Sequence, residues 1–293
     1  MVEYIGIDLG GTNIRVGAMD ENENVIFEYK EATFKEVETA EDLYSKIVNI
    51  IKSVPEFEKA KAIGLGVPGC VDINTGSIVT ARNVGILKEY PLKKKLEEEF
   101  NKEIYIDNDA KVTAFAEALI GKGKDKKIVS YITISTGFGG GVVIDKEIYH
   151  GSNNLGGYFS RIILDRENTT DYLISGTALK RQVKEKLNID IDSSKEIFEL
   201  SKENNIAKEI VEEFKKNLVA ALLNISATIN PDIIILGGGV MKSKEYFFDD
   251  VKKSFKNMAH IFAKDTIIEE SEFDEPGIIG ACLLAKYSNK NKE

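Results

Sequence analysis

Three glycine-rich segments of the sequence each follow a run of strand-forming residues: Asp8–Asn13, Ser135–Gly141 and Leu236–Val240. Because glycine has no Cβ, the backbone of such a segment can approach a ligand closely and offer its amide groups to phosphate oxygens. In the first segment, Thr12 adds a hydroxyl and Asp8 adds a carboxylate that suits Mg²⁺ or its bound waters. Each segment alone could equally be a hairpin turn, a bulge or a loop. Together they favour a nucleotide-binding site.

The pair Asn108-Asp109 stands where a predicted strand ends and a predicted helix begins. Asp109 is a suitable N-cap for that helix. It is also a candidate general base, because phosphoryl transfer requires positioning, charge neutralisation and a carboxylate that takes the proton of the attacking hydroxyl. Asn83 follows a short strand-forming run and either hydrogen-bonds a sugar hydroxyl or serves as an ordinary turn residue.

Two familiar nucleotide-binding motifs do not account for these features. The sequence contains no GxxxxGK followed by Ser or Thr, which excludes a P-loop NTPase. Gly64–Gly69 does match GxGxxG after a predicted strand. However, Pro68 and the turn-like Asp72–Ser77 argue against the helix whose N-terminus a Rossmann site needs.

Composition limits the partners and the compartment. Of the 293 residues, 43% are hydrophobic, and the net charge is −9 without a separate basic stretch, which predicts no nucleic-acid or anionic-membrane partner. A strand pattern that begins at Tyr4, and the lack of an apolar run near the ~20 residues that cross a bilayer, predict a cytoplasmic protein without a signal peptide. Cys70 and Cys282 form no CxxC pair, so no disulfide framework is expected. His150 and His260 have no ligand-spaced neighbours and are interpreted as satisfied or exposed histidines rather than catalytic ones.

The order of predicted elements indicates an α/β protein of one large or two medium domains, with an internal repeat. The pattern of strand, glycine turn and strand at residues 4–19 occurs again at residues 129–145. In this repeat Ile132–Gly139 resembles Ile5–Thr12, and Thr136–Gly141 is predicted to be the turn. The other predicted strands are 25–29, 62–67, 103–106, 147–149 and 232–236, and the predicted helices are 40–53, 92–100, 110–120, 176–186, 194–202, 206–229 and 278–287.

Taken together, these residues resemble the ROK family (repressor, open reading frame, kinase) of bacterial sugar kinases. The resemblance runs nearly from end to end through a series of ordered motifs: Asp8–Asn13, Gly66–Asp72, Asn83, Asn108–Ala110, Thr136–Gly141, Ser175–Thr177, Asn230–Asp232 with Gly237–Gly239, and Gly277–Ala281. It implies a two-lobed actin-like ATPase fold of the ribonuclease H-like and hexokinase type, α/β with a duplicated mixed sheet, and ATP and sugar between the lobes. The expected small lobe is residues 1–108 plus about 280–293, and the expected large lobe is residues 109–279.

The resemblance also implies roles for individual residues. Asp109 would be the base toward the sugar 6-hydroxyl, and Asp8 would meet Mg²⁺ through water. The expected ATP and phosphate ligands are Asp8, Gly10, Gly11, Thr12, Asn13, Thr136, Gly137, Gly139, Gly238 and Gly239, and the expected sugar ligands are Gly69, Asn83, Asn108, Asp109 and Asp171. The expected cofactors are ATP and Mg²⁺, and family habit suggests a homodimer.

The sequence departs from the family pattern where the sugar is bound. Family members usually carry Glu-x-Gly-His after the position of Gly151, and then a CxCGxxGCxE zinc motif. Here Gly157–Ser160 and Asp165–Asp171 stand in those places, without a cysteine. We therefore expect no structural zinc and an altered sugar pocket, in which Asp171 replaces the closing Glu of the motif. Lys111 also replaces the common Asn after the Asp-Ala pair.

A sugar pocket without that Glu and His has room for a substituent at carbon 2. The predicted activity is ATP-dependent 6-phosphorylation of an N-acylated hexosamine, with N-acetylmannosamine of sialic-acid catabolism first and a glucokinase as the alternative. The alternative of another class is a catalytically weak sugar sensor. A sugar-responsive repressor would need a DNA-binding segment before the first strand, where the sequence has only three residues before Tyr4, and is not expected.

Overall fold

The computed structural model describes residues 1–73, 75–81, 83–273 and 276–290. The chain divides into two compact units. Unit 1 comprises Met1–Ile120, Glu147–Gly156 and Phe273–Glu293, and unit 2 comprises Gly121–Lys146 and Gly157–Glu272. Each unit has a hydrophobic core of its own.

Groups of strands are separated along the chain by single α-helices or by groups of α-helices. The strands are β1 (Tyr4–Leu9), β2 (Asn13–Met19), β3 (Val25–Ala32), β4 (Ala62–Val67), β5 (Cys70–Asp72), β6 (Ser77–Thr80), β7 (Glu103–Asn108), β8 (Ile128–Ile134), β9 (Phe138–Ile144), β10 (Glu147–Ile148), β11 (Ile163–Asp165), β12 (Asn168–Thr169), β13 (Ile233–Gly237) and β14 (Ile267–Glu270). The α-helices are α1 (Ala40–Lys52), α2 (Leu92–Phe100), α3 (Asp109–Leu119), α4 (Thr170–Ile174), α5 (Gly176–Leu187), α6 (Ser194–Leu200), α7 (Asn205–Ile229), α8 (Phe248–Met258) and α9 (Pro276–Lys290). Short 3₁₀ helices cover Phe57–Lys59, Gly85–Leu87, Phe159–Arg161, Gly239–Tyr246 and Ile261–Ala263.

Unit 1 is built on a mixed sheet with the strand order β3-β2-β1-β4-β7. The strands β1, β2 and β3 form an antiparallel meander, whereas β1, β4 and β7 run parallel. Ile5 and Ile7 of β1 share a core with Leu43 of α1, and α9 packs close against β4, where a Cβ on Gly64 would lie 2.0 Å from Ala281 O. The two central strands are therefore buried on both faces, as their continuous apolar sequences predict.

Unit 2 repeats this plan. Its sheet contains the strand order β9-β8-β13-β14, in which β8 and β9 are antiparallel and β8, β13 and β14 run parallel. The order β2-β1-β4-β7 of unit 1 has the same sequence of directions. The predicted α/β class with a duplicated mixed sheet is therefore confirmed.

The structure corrects one local prediction and adds elements that the sequence did not reveal. Gly139, Gly140 and Gly141 lie in strand β9 rather than in a turn. Glycine is required at position 140 for close packing, because a Cβ there would lie 2.5 Å from both Phe159 Cδ2 and Tyr131 O. Only residues 135–137 form the turn. Helix α8, strand β14 and the short β5, β11, β12 and α4 were not predicted. None of the helices in the described part of the chain is long and apolar enough to cross a membrane.

Candidate active site

The turn between β1 and β2 is fixed by hydrogen bonds within unit 1. The amide of Gly10 donates to Asn13 O at 2.9 Å. Thr33, which is fully buried, donates its hydroxyl to Gly10 O at 2.6 Å and its amide to Thr12 O at 3.0 Å. The side chains of Thr12 and Asn83 are exposed. If Gly11 carried a Cβ, that atom would lie 2.6 Å from the Cβ of Asn83. The turn is therefore rigid and accessible to a ligand.

Asp8, near the end of β1, has two close neighbours. Arg15 Nη1 donates to Asp8 Oδ2 at 3.2 Å, and these two residues are direct cross-strand partners in the β1–β2 ladder. A Cβ on Gly277, in the first turn of α9, would lie 2.6 Å from Asp8 Cγ. The carboxylate therefore lies against the N-terminus of a helix, whose dipole favours a negative charge.

Asn108, rather than Asp109, caps α3. Its Oδ1 accepts hydrogen bonds from the amides of Ala110 at 3.1 Å and Lys111 at 3.2 Å. Its Nδ2 donates to Gly69 O at 3.0 Å and to Asp109 Oδ1 at 2.9 Å. The capping interpretation of Asp109 is therefore wrong, because the residue before it supplies the cap.

Asp109 has one anchored oxygen. Oδ1 accepts from Asn108 Nδ2 and, at 2.8 Å, from the amide of Ala110, whereas Oδ2 accepts no hydrogen bond from the described residues. Burial raises the pKa of Asp109 to about 7, and the negative charge of Asp8 adds to the rise. A carboxyl group with a pKa near neutrality and an available oxygen suits a general base.

These groups of unit 1 converge at one edge of the sheet. Asp8 stands near the carboxyl end of β1, Gly69 follows β4, and Asp109 follows β7. Because β1, β4 and β7 are parallel, their carboxyl ends meet at the same edge, where open α/β sheets bind ligands. Gly69 itself has φ +102°, and a Cβ there would lie 1.8 Å from Thr80 O, so glycine is required for the chain path.

In unit 2, the turn after β8 is held by α4 and α5. Asp171 Oδ1 accepts a hydrogen bond from the amide of Phe138 at 2.8 Å and lies 3.0 Å from the position of a Cβ on Gly137. Thr177 Oγ1 donates to Thr136 O at 2.8 Å. Asp171, predicted as a sugar ligand, thus contacts the predicted phosphate-binding turn with one of its oxygens.

The second glycine turn of unit 2, with the predicted ATP ligands Gly238 and Gly239, lies beside that segment. Gly238 has φ +93°, and a Cβ there would lie 2.5 Å from Ile134 O at the end of β8. A Cβ on Gly239 would lie 3.6 Å from Ser135 Oγ. The structure therefore brings together the two glycine turns of unit 2, which follow the neighbouring parallel strands β8 and β13.

Several residues around these groups were missed at the level of sequence. Arg15 was detectable in principle, since the register of a short hairpin places it opposite Asp8. Lys111 was noted only as a replacement for the family's Asn; its burial and its contact with Asn154 were missed, because a lysine in the first turn of a helix is usually solvated. His150, interpreted as satisfied or exposed, is hydrogen-bonded through Nε2 to Asp107 Oδ2 at 2.6 Å.

The model of the ROK family matches residues 4–288. The chain belongs to the ROK family. This ROK protein is 28% identical to a glucokinase from Halalkalibacterium halodurans, over 99% of this chain and 97% of that protein. It is also 28% identical to an N-acetyl-D-glucosamine kinase from Aliivibrio salmonicida, over 96% of this chain and 99% of that protein.

Solved structures of the family share the fold of this ROK protein. A ROK hexokinase from Thermus thermophilus superposes with a TM-score of 0.85 at 24% identity, covering 98% of this chain and 99% of the other. A ROK glucokinase from Streptomyces griseus, in complex with glucose and AMPPNP, superposes with a TM-score of 0.82 at 25% identity, covering 98% of this chain and all of the other (100%). The predicted actin-like ATPase fold is confirmed.

The acidic groups of this ROK protein fit Mg²⁺ as it is held in kinases. Mg²⁺ is usually bound by one or two carboxylates together with substrate phosphates and water. Asp8 supplies such a carboxylate. Its negative charge disfavours ionisation of a second carboxyl group, that of Asp109, and a bound cation would reduce this repulsion. In the described residues no three His, Cys, Asp or Glu side chains are grouped for a metal held by protein alone. The lack of zinc stays a prediction.

Proposed function

We propose that this ROK protein transfers the γ-phosphoryl group of ATP to the 6-hydroxyl of an N-acylated hexosamine, with N-acetylmannosamine as the first candidate. The observation that carries the proposal is Asp109. It combines an anchored Oδ1, an available Oδ2 and a pKa of about 7 at the carboxyl edge of a mixed sheet.

In the proposed reaction, Asp109 Oδ2 accepts the proton of the sugar 6-hydroxyl as the oxygen attacks the γ-phosphorus. The bond from the γ-phosphorus to the bridging oxygen of ATP breaks, and ADP leaves with the electron pair. Asn108 and the amide of Ala110 hold Oδ1 during this step, so the carboxylate keeps its direction. A positioned general base of this kind contributes ~10²–10⁴-fold to the rate.

The phosphate chain is assigned to backbone amides. In unit 1 the rigid turn Gly10–Asn13 offers them, and in unit 2 the turn Thr136–Gly137 does so, supported by Asp171. Mg²⁺, when bound with ATP through Asp8, supplies charge neutralisation on the phosphate oxygens. Arg15 keeps the Asp8 carboxylate in place through the hydrogen bond to Oδ2.

The choice of sugar is supported by the altered segment and by the relatives. Gly157–Ser160 stand in the sequence where the family carries its Glu-x-Gly-His stretch, so fewer side chains are present to bind the hydroxyls of an unsubstituted hexose. Relatives of similar identity include glucokinases and N-acetyl-D-glucosamine kinases. Glucose is therefore the second candidate substrate.

A coupled assay of ADP release tests the proposal. Wild-type protein with Mg·ATP is offered N-acetylmannosamine, N-acetylglucosamine, glucose, mannose, fructose and allose, and the Asp109→Asn variant serves as the enzyme blank. Turnover of an N-acylated hexosamine at a higher kcat/KM than glucose is expected. A higher kcat/KM for glucose would contradict the proposed N-acylated substrate and indicate a glucokinase. ATP binding without turnover of any sugar would refute the kinase and favour a sensor.

A further inference from the structure

The first turn of α3 contains a buried lysine whose ammonium group binds a loop of unit 1. Lys111 is 1% exposed, and its Nζ donates to Asn154 O at 2.8 Å and to Asn154 Oδ1. Burial lowers the pKa of Lys111, while the negative charge of Asp107 acts in the opposite direction. Burying an ammonium group is unfavourable unless its donors are satisfied. The contact with Asn154 therefore determines where the lysine can lie.

Asn154 also forms a hydrogen bond with strand β5. It is 8% exposed, and its Nδ2 donates to Val71 O at 2.6 Å. Its φ of +59° is a left-handed conformation that asparagine tolerates better than most residues. One side chain thus connects the ammonium of Lys111 with β5, which follows Gly69.

A second contact ties the same loop to the residue on the other side of Asp109. His150 Nε2 and Asp107 Oδ2 are 2.6 Å apart, and the side chain of Asp107 is 3% exposed. Asp107 Oδ1 also accepts from the amide of Asn108 at 2.7 Å. The loop 150–154 is therefore bound to positions 107 and 111, with Asp109 midway between them.

Lys111 does not act on the carboxylate of Asp109 by direct contact. Residues two apart on a helix point in roughly opposite directions, since successive side chains are ~100° apart. We therefore expect Lys111 to act on the position of Asp109 through the backbone of the first helical turn.

We propose that Lys111 and Asn154 are positioning residues that fix the strand-to-helix junction carrying Asp109. This rests on the proposed function, in which Asp109 is the base. Loss of the Lys111 ammonium frees the loop and lets the junction relax, and a displacement of about 1 Å at a reacting group can cost ~10²-fold in rate. The effect falls on kcat rather than on ATP binding.

Lys102 offers a matched control. Its Nζ also donates to two backbone carbonyls of unit 1, Glu58 O at 2.7 Å and Ala60 O, and burial lowers its pKa. It precedes β7, however, whereas Lys111 follows that strand. Six residues of strand separate the two ends by ~20 Å.

The test compares Lys111→Met, Lys111→Gln and Asn154→Gly with Lys102→Met, by steady-state kinetics, thermal unfolding and hydrogen exchange. Lys111→Met should lose 10- to 100-fold in kcat with KM for ATP within about threefold, Lys111→Gln should recover part of the loss, and Lys102→Met should keep kcat. Amides at 150–156 should exchange faster in Lys111→Met than in Lys102→Met.

Two results would overturn the inference. One is a Lys111→Met protein with wild-type kcat and unchanged exchange at 150–156. The other is a loss of activity that simply follows the loss of thermal stability, equally for Lys111→Met and Lys102→Met. If wild-type protein turned over no sugar, the proposed function would fail separately, and the exchange comparison would still decide whether Lys111 fixes the loop.

Discussion

Asp8 and Asp109 form a pair of carboxylates in which the charge of one disfavours ionisation of the other. Burial is the larger cause of the raised pKa of Asp109, about 7, and Asp8 adds to it. The proximity that adds to this pKa also concentrates negative charge, which a divalent cation bound with ATP would offset. In the proposed reaction the two residues therefore have complementary roles: Asp8 faces the cation, and Asp109 takes the proton.

Replacing Asp109 with Asn should abolish proton acceptance while keeping the hydrogen bonds that surround the side chain. We expect kcat to fall at least ~10²-fold, with the KM values for ATP and sugar within severalfold of wild type. Steady-state kinetics measures this. Asp20→Asn, a like change at an exposed turn, is the control and should remain fully active. Full activity of Asp109→Asn would assign the base to another residue.

The raised pKa of Asp109 also predicts a pH-dependent effect on stability. The folded state binds the proton more tightly than the unfolded state, whose carboxyl titrates near 3.8, so this carboxyl destabilises the fold increasingly as pH rises toward 7. Asp109→Asn should therefore have a higher Tm than wild type at pH 8, and the difference should vanish near pH 4. Equal Tm values at pH 8 would contradict the raised pKa.

Two variants of Asp171 distinguish the effect of its negative charge from the effect of its acceptor oxygen. Asp171→Asn retains an oxygen for the Phe138 amide, whereas Asp171→Ala does not. We expect Asp171→Ala to raise the KM for ATP ~5-fold and Asp171→Asn to leave it nearly unchanged, because a hydrogen bond is worth ~1 kcal/mol. If the residue is also a sugar ligand, as predicted, both variants raise the KM for the sugar. A normal KM for ATP in Asp171→Ala would show that the turn needs no support from this side chain.

Gly277 should be intolerant of a methyl group, because a Cβ there would lie 2.6 Å from Asp8 Cγ. Gly277→Ala is expected to displace the Asp8 carboxylate and to raise the Mg²⁺ concentration required for half-maximal activity. Gly85→Ala is the control, since no atom lies within 4 Å of its Cβ position. An unchanged Mg²⁺ requirement in a folded Gly277→Ala protein would argue against a role for Asp8 toward the cation.

Metal analysis tests the prediction that structural zinc is missing. Purified protein should contain far less than one equivalent of zinc, and a zinc-selective chelator in excess Mg²⁺ should leave its Tm unchanged. Stoichiometric zinc would mean that the segment 157–171 binds metal through ligands other than cysteine.

The positions of strands and helices were predicted from the sequence better than the side-chain contacts between them. Buried strands such as β1 and β4 were visible as β-branched runs next to glycine turns. By contrast, the assignment of the α3 cap to Asn108 depends on which side chain turns back toward the helix, and both Asn and Asp favour that position. The His150–Asp107 contact joins residues 43 positions apart, and nothing local to either residue indicates it. Such long-range pairs surround the candidate site and were missed for that reason.

The position of α9 has a consequence for synthesis of the chain. Cys282 of this helix lies against Gly17 of β2, although 265 residues separate them in sequence. A ribosome therefore makes the strands of unit 1 long before the helix that covers them, and one apolar face of the nascent sheet stays open until residues 276–290 have been made. All of unit 2 is made in the meantime, so the sheet of unit 1 is covered only after unit 2 has emerged.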